Sequence, residues 1–166
     1  MGAVKIIRIL GIDPGSRATG YGVIEKNGPL LGFVTCGTIR TREKDFSRRL
    51  FEIHQGLREV INCHRPEVAA VEDVFVATNP RSAMKLGQAR GVAVVAAMQS
   101  DLEVFDYTPR MVKQAVAGYG QADKAQVQRM VQVLLELSGM PSSDAADALA
   151  VAICHANHMD YIRKNC

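Results

Sequence analysis

The sequence lacks the marks of several protein classes. No apolar run approaches the ~20 residues needed to cross a bilayer, so no membrane role is expected. The apolar start, Met1 to Ile12, carries no small-residue cleavage site and runs directly into a Gly-Ile-Asp-Pro-Gly turn, which reads as a buried strand rather than an export signal. The four cysteines (Cys36, Cys63, Cys154, Cys166) are scattered, and none forms a Cys-x-x-Cys pair. With no export signal, free thiols in a reducing cytoplasm are expected. Cys154, His155 and His158 could be grouped as a zinc site, but a core cysteine with two surface or helix-end histidines is the simpler account. There is no internal repeat and no low-complexity linker. Net charge is only +3, which does not by itself point to nucleic acid.

What is present fits an ordinary globular chain. Its 166 residues suit one domain spanning 1–166, with a C-terminal tail expected to fray from about 160. Val4 to Asp13 is a continuous apolar run, the pattern of a buried strand. Pro14-Gly15-Ser16 is a turn, and β-branched residues resume from Tyr21 to Glu25. Asn27-Gly28-Pro29 is a second turn, followed by a third strand over Leu30 to Ile39. Apolar residues then recur at helical spacing over about 44–63, and Arg65-Pro66 ends that helix. A strand is expected over Val68 to Val76, then a helix to about Gln99 with Asn79 or Ser82 as its cap. Glu103 to Tyr107 reads as a fifth strand, and further helices are expected near 109–117, 122–137 and 143–159. The order predicts an α/β fold: a five-stranded mixed sheet, three antiparallel strands then two parallel, flanked by helices.

Several carboxylates sit where carboxylates are costly. Asp13 closes an apolar strand; it is either a turn former before Pro14-Gly15 or part of a site. Glu72 and Asp73 interrupt the apolar strand Val68 to Val76, and adjacent strand residues face opposite ways, so one acid can face a site while the other pairs locally. Asp144 and Asp147, three apart, share one face of a helix. Their neighbours Ala145, Ala146, Ala148 and Ala150 are small enough to let that helix approach a sheet closely. Acids near a helix N-terminus are also favourable on their own account, which explains Asp144 better than Asp147. Oxygen donors without cysteine or histidine companions suit magnesium or manganese rather than zinc. Two such ions ~3.5–4 Å apart serve phosphodiester hydrolysis.

Two basic stretches stand out. Between Thr78 and Met130, Arg81, Lys85, Arg90, Arg110, Lys113, Lys124 and Arg129 outnumber Asp101, Glu103, Asp106 and Asp123. A second cluster comprises Arg40, Arg42, Lys44, Arg48 and Arg49. Such runs are usually solvated faces, and they matter only where they flank a phosphate-binding site. Ala83, Gly87 and Gly91 form an i, i+4 ridge of small residues, suited to close packing against the chain's own sheet or a second subunit.

The segments Leu10-Gly-Ile-Asp-Pro-Gly-Ser-Arg-Ala-Thr-Gly-Tyr-Gly22, Val71-Glu-Asp-Val-Phe75, Leu86-Gly-Gln-Ala-Arg-Gly-Val-Ala93 and Asp144-Ala-Ala-Asp-Ala-Leu149 resemble the RuvC family of bacterial Holliday junction resolvases, within the ribonuclease H-like superfamily. The resemblance covers roughly Ile6 to His158. It implies that Asp13, Glu72, Asp144 and Asp147 bind two Mg2+ per subunit, with Mn2+ a possible substitute. It selects Glu72 over Asp73. It implies a homodimer that resolves four-way junction DNA by paired symmetric nicks, beside a branch-migration motor and a junction-binding partner. It places Lys113 and Lys124 near the scissile phosphate and Phe75 against the bases at the junction centre. Arg81 and Lys85 are further candidates for DNA contact. A superfamily nuclease acting on RNA–DNA hybrids would share the acids but not the segments from Val71 to Ala93. An actin-like ATPase would need two large domains, which 166 residues do not supply.

Overall fold

The computed structural model describes residues 5–74 and 79–165, with side chains through Tyr161. Three strands open the chain: β1 (Ile7–Asp13), β2 (Ala18–Asn27) and β3 (Leu30–Arg40). Gly28, at φ 58°, takes the left-handed turn conformation that joins β2 to β3. Then follow α1 (Phe46–His64), β4 (Val68–Glu72), α2 (Pro80–Met98), β5 (Glu103–Tyr107), α3 (Pro109–Ala117), α4 (Lys124–Leu134) and α5 (Ser143–Asn165). The sheet order is β3-β2-β1-β4-β5. β1 and β2 pair antiparallel, as do β2 and β3, while β1, β4 and β5 run parallel. This is the expected five-stranded mixed sheet.

Helices cover both faces. On one, Ile53, Leu57, Val60 and Ile61 of α1 and Ala89, Ala93, Ala96 and Ala97 of α2 pack against Leu10, Ile12, Ala69 and Val71. On the other, α3, α4 and α5 pack against Ile9, Ile24 and Ala70. α5 lies deepest: every residue from Ala148 to Ile153 is at most 1% exposed. Glycines make that depth possible. A Cβ on Gly11 would stand 2.0 Å from the Ala148 carbonyl oxygen, and one on Gly20 2.1 Å from that of Asp144.

Some boundaries differ from expectation, for local reasons. β4 ends at Glu72 rather than Val76: the Asp73 amide still donates to Tyr107 O at 2.8 Å, but the Asp73 carboxylate then accepts from the Val74 amide, an alternative to the ladder. α4 is shorter than 122–137 because Asp123 and Gln126 form a reciprocal capping box and Glu136, at φ 51°, turns the chain out of the helix. α2 starts where Asn79 caps it, accepting from the amides of Arg81 and Ser82. α5 stays helical to Asn165, past the expected end at 159 and through most of the tail expected to fray.

Candidate active site

The parallel strands bring the first two acids together. Ile12 of β1 is in register with Val71 of β4, so Asp13 and Glu72 end neighbouring strands side by side. α5 starts above the same edge and delivers Asp144 and Asp147 in its first turns. The close approach at Gly20 seats the α5 backbone at Asp144 directly on β2, next to Asp13, whose register partner is Gly20. α3 and α4 add Lys113 and Lys124.

The result is a cleft of about 240 Å³ lined by Asp13, Glu72, Asp147, Lys113 and Lys124, with Pro109, Val112, Val127 and Ala150 as apolar wall. Asp144 is not among the lining residues; its charge still reaches Asp13. Lys124 Nζ lies 3.5 Å from Asp147 Oδ2.

The carboxylates are crowded, and their proton affinities record it. Burial, then the Glu72 charge, a hydrogen bond with Glu72, and the charges of Asp147 and Asp144 push Asp13 up to about 9. Burial also raises Glu72, opposed by the Asp13 hydrogen bond and by Lys124 and Lys113. Burial raises Asp147 too, and Lys124 opposes it. Burial and the repulsion of neighbouring acids thus hold Asp13 and Glu72 toward the protonated form as a pair. Among the described residues no three His, Cys, Asp or Glu side chains stand as a ready ligand set. The donor chemistry nevertheless suits a divalent cation. All the acids offer hard oxygens, and a cation would supply the positive charge that offsets their repulsion.

A family model described as crossover junction endodeoxyribonuclease RuvC matches residues 9–155. The chain belongs to the RuvC family. RuvC proteins of Acinetobacter baylyi and Vibrio vulnificus are each 59% identical to it over 149 residues, which is 90% of this chain and 82% and 86% of theirs. A Thermus thermophilus RuvC solved with a Holliday junction substrate superposes with a TM-score of 0.87 at 36% identity, covering 93% of this chain and 96% of that one. The yeast mitochondrial Holliday junction resolvase shares the fold, with a TM-score of 0.68 at 14% identity over 96% of this chain and 83% of that one.

In this chain the other expected residues fall in three places. Phe75 lies outside the described residues. Arg81 and Lys85 start α2, on the other face of the sheet from the cleft that α3, α4 and α5 enclose, and neither lines it. Lys85 Nζ stands 5.5 Å from the centre of the Phe46 ring. Ala83, Gly87 and Gly91 do not serve the chain's own sheet, which α2 meets through Ala89, Ala93, Ala96 and Ala97. A Cβ on Gly87 or Gly91 would meet nothing within 4 Å. The same side of α2 exposes Gln88 and Val95 and, with Leu50, Phe51 and His54 of α1, forms an apolar groove of about 530 Å³.

The histidines are structural. The Tyr107 hydroxyl and His155 Nδ1 are 2.7 Å apart, and burial drives His155 down to about 4. Burial also drives the Cys154 thiol up to about 12. The raised thiol disfavours zinc, which needs thiolate, and the Tyr107 hydroxyl already occupies His155 Nδ1.

Sequence reasoning passed over two features. Gly11 and Gly20 set the depth of α5, and their signal was the run of glycines on β1 and β2 opposite an alanine-rich helix. Arg90 contacts both Asp73 and Asp106, which takes Asp73 away from the cleft and leaves Glu72 to face it. No spacing in the sequence announces that pair.

Proposed function

We propose that this protein resolves four-way DNA junctions by cutting two opposing strands, with Asp13, Glu72, Asp144 and Asp147 holding two Mg2+ ions in each subunit of a homodimer. The observation that carries the reading is the convergence of three half-buried carboxylates and two lysines on one small cleft, in a chain of the RuvC family. Bound ions of this kind lower the proton affinity of water and stabilise charge on a leaving oxygen.

The protein's own groups do the rest. The carboxylates fix where positive charge sits. The apolar wall of Val112, Val127 and Ala150 limits water around the reacting phosphate. Lys113 and Lys124 stand where their ammonium groups can meet phosphate oxygens; Lys124 turns from Asp147 to the DNA when the backbone enters. Hydrolysis adds a water hydroxyl to phosphorus and breaks one phosphorus–sugar oxygen bond. The water proton ends on the departing sugar oxygen.

A two-fold junction calls for a two-fold enzyme. The unpartnered Gly87–Gly91 ridge and the neighbouring apolar groove supply a seam on α2 and α1. Phe75, by the family resemblance, stacks at the junction centre, and Arg81 and Lys85 contact the backbone from the start of α2. The resemblance also supports a cytoplasmic setting, a branch-migration motor and a junction-binding partner. No described helix is long and apolar enough to cross a membrane.

The test is cleavage of a synthetic four-way junction with and without Mg2+. Symmetric paired nicks that need the metal are expected, and Asp147→Asn should bind the junction yet leave it uncut. Lys113→Ala should slow single-turnover cleavage. Equal cutting of RNA–DNA hybrids, or no junction cutting with any divalent metal, rejects the reading.

A further inference from the structure

We propose that Arg17, Arg40, Arg42, Lys44, Arg48 and Arg49 form a second phosphate-binding track, which carries one duplex arm of the junction away from the cleft across the β3–α1 edge. The inference rests on the junction-cutting reading above and adds to it a surface outside the acid cleft.

The topology puts these residues at the catalytic end of the sheet. Ala18, the first residue of β2, pairs with Arg40, the last of β3, while Gly20 of β2 pairs with Asp13. The turn at 14–17 and the chain leaving β3 therefore flank the strand end that carries Asp13. Thr41 staples them: its amide donates to Arg17 O at 3.0 Å and its hydroxyl to Ser16 O at 3.2 Å. α1 begins at Phe46, so Arg48 and Arg49 fall in its first turn at the same end. β3 is two strands from β1, which places Arg40 roughly 10 Å from the Asp13 strand. At 3.4 Å per phosphate along each strand, the cluster faces DNA about three to six base pairs from the cut.

The cluster carries a net positive charge, six cations against Glu43, Asp45 and Glu52. Lys5, Arg8, Lys26 and Arg90 are ion-paired elsewhere in the fold. None of the six cations makes an ion pair among the described residues. Two nearby carboxylates are committed to the backbone. Asp45 caps α1 by accepting from the Arg48 amide, and Glu52 accepts from the amides of Arg42 and Glu43. Arg49 Nε is buried without a hydrogen-bond partner, and its guanidinium stands 5.6 Å from the centre of the Phe46 ring. Lys85 approaches that same ring, so the track joins the start of α2. Like charges held together and left unpaired on the edge beside a phosphodiester-cutting cleft fit a polyanionic backbone better than a neutral partner.

The test is the salt dependence of junction binding in EDTA, compared between wild type and Arg40→Ala/Arg42→Ala/Lys44→Ala. Each lost phosphate contact should flatten the log–log slope by about 0.9, so a fall of roughly 2–3 is expected. Arg40→Lys/Arg42→Lys keeps the charge and should keep the slope, which separates charge from fold. Neutral methylphosphonates placed three to six base pairs from the cut should weaken the wild type and leave the triple variant unmoved. An unchanged slope overturns the track; so does equal weakening of both proteins by methylphosphonates. An unchanged slope with lost binding to an acidic protein would assign the surface to that partner instead. Whether the wild type cuts junctions at all is read separately with Mg2+, so failure of that reading is distinguishable from failure of this one.

Discussion

Replacing Gly20 by alanine would damage cleavage far more than folding. The new methyl would stand 2.1 Å from the Asp144 carbonyl oxygen, against the ~3.5 Å of an ordinary non-bonded contact. The obstacle is backbone, so α5 must retreat by on the order of 1 Å. Asp144 and Asp147 ride on the first turns of that helix, and both would leave Asp13 and Glu72. Overpacking of this kind typically costs about 1–3 kcal/mol. A 1 Å displacement of reacting groups can cost about 100-fold in rate. Gly22→Ala is the matched control. There the methyl meets the Leu149 side chain at 2.6 Å and 2.7 Å and its Cα only at 3.1 Å, past both acids along α5, so most of the strain falls on a side chain rather than on the backbone at Asp144. Urea unfolding and single-turnover cleavage at saturating enzyme should show similar stability losses for the two variants but a large rate loss only for Gly20→Ala. A Gly20→Ala rate within threefold of wild type would refute the argument, as would equal rate losses in both.

Asp13→Asn should stabilise the metal-free protein while abolishing cleavage. Asp13 sits at about 9 in the fold against 3.8 ordinarily, so its cost to folding is absent below pH 4 and grows as pH rises toward 9. Unfolding in EDTA should show a clear gain at pH 8 and little at pH 4.5; equal gains at both would contradict the cause. Gly87→Ala should favour the α2 helix by about 0.8–1 kcal/mol within one chain yet loosen the proposed dimer, as sedimentation would report. A variant that dimerises as tightly as wild type removes Gly87 from the seam. For His155 the folded value is about 4 against 6.5, so the buried neutral ring contributes stability above pH 6.5 that is lost as pH falls toward 4. His155→Gln should abolish up to about 3 kcal/mol of that acid sensitivity; identical pH–stability curves would show that the ring does not control it.

Much of the fold was legible because its signals are local. The apolar run of β1, the helical spacing in α1 and the Asn79 cap act within a few residues of themselves. Boundaries failed where a side chain redirected the backbone, as Asp73 does at the end of β4 and Asp123 at the start of α4. The acid site was half legible. Asp144 and Asp147 were paired by helix period, whereas strand alternation alone left Glu72 and Asp73 equivalent.

The sequence by itself determined which residues could be chemical: hard oxygen donors set in apolar strands and an alanine-rich helix, where an unpartnered charge is costly. It also determined the family, through segments long enough to be specific. Only the tertiary structure decided that Asp13 and Glu72 stand side by side and that Glu72 raises the proton affinity of Asp13, because that depends on the register of two strands far apart in the chain. Only the structure gave Asp73 to Arg90 and left the Gly87–Gly91 ridge bare. Close approach is a property of pairs of surfaces, and a linear pattern specifies each surface without its partner.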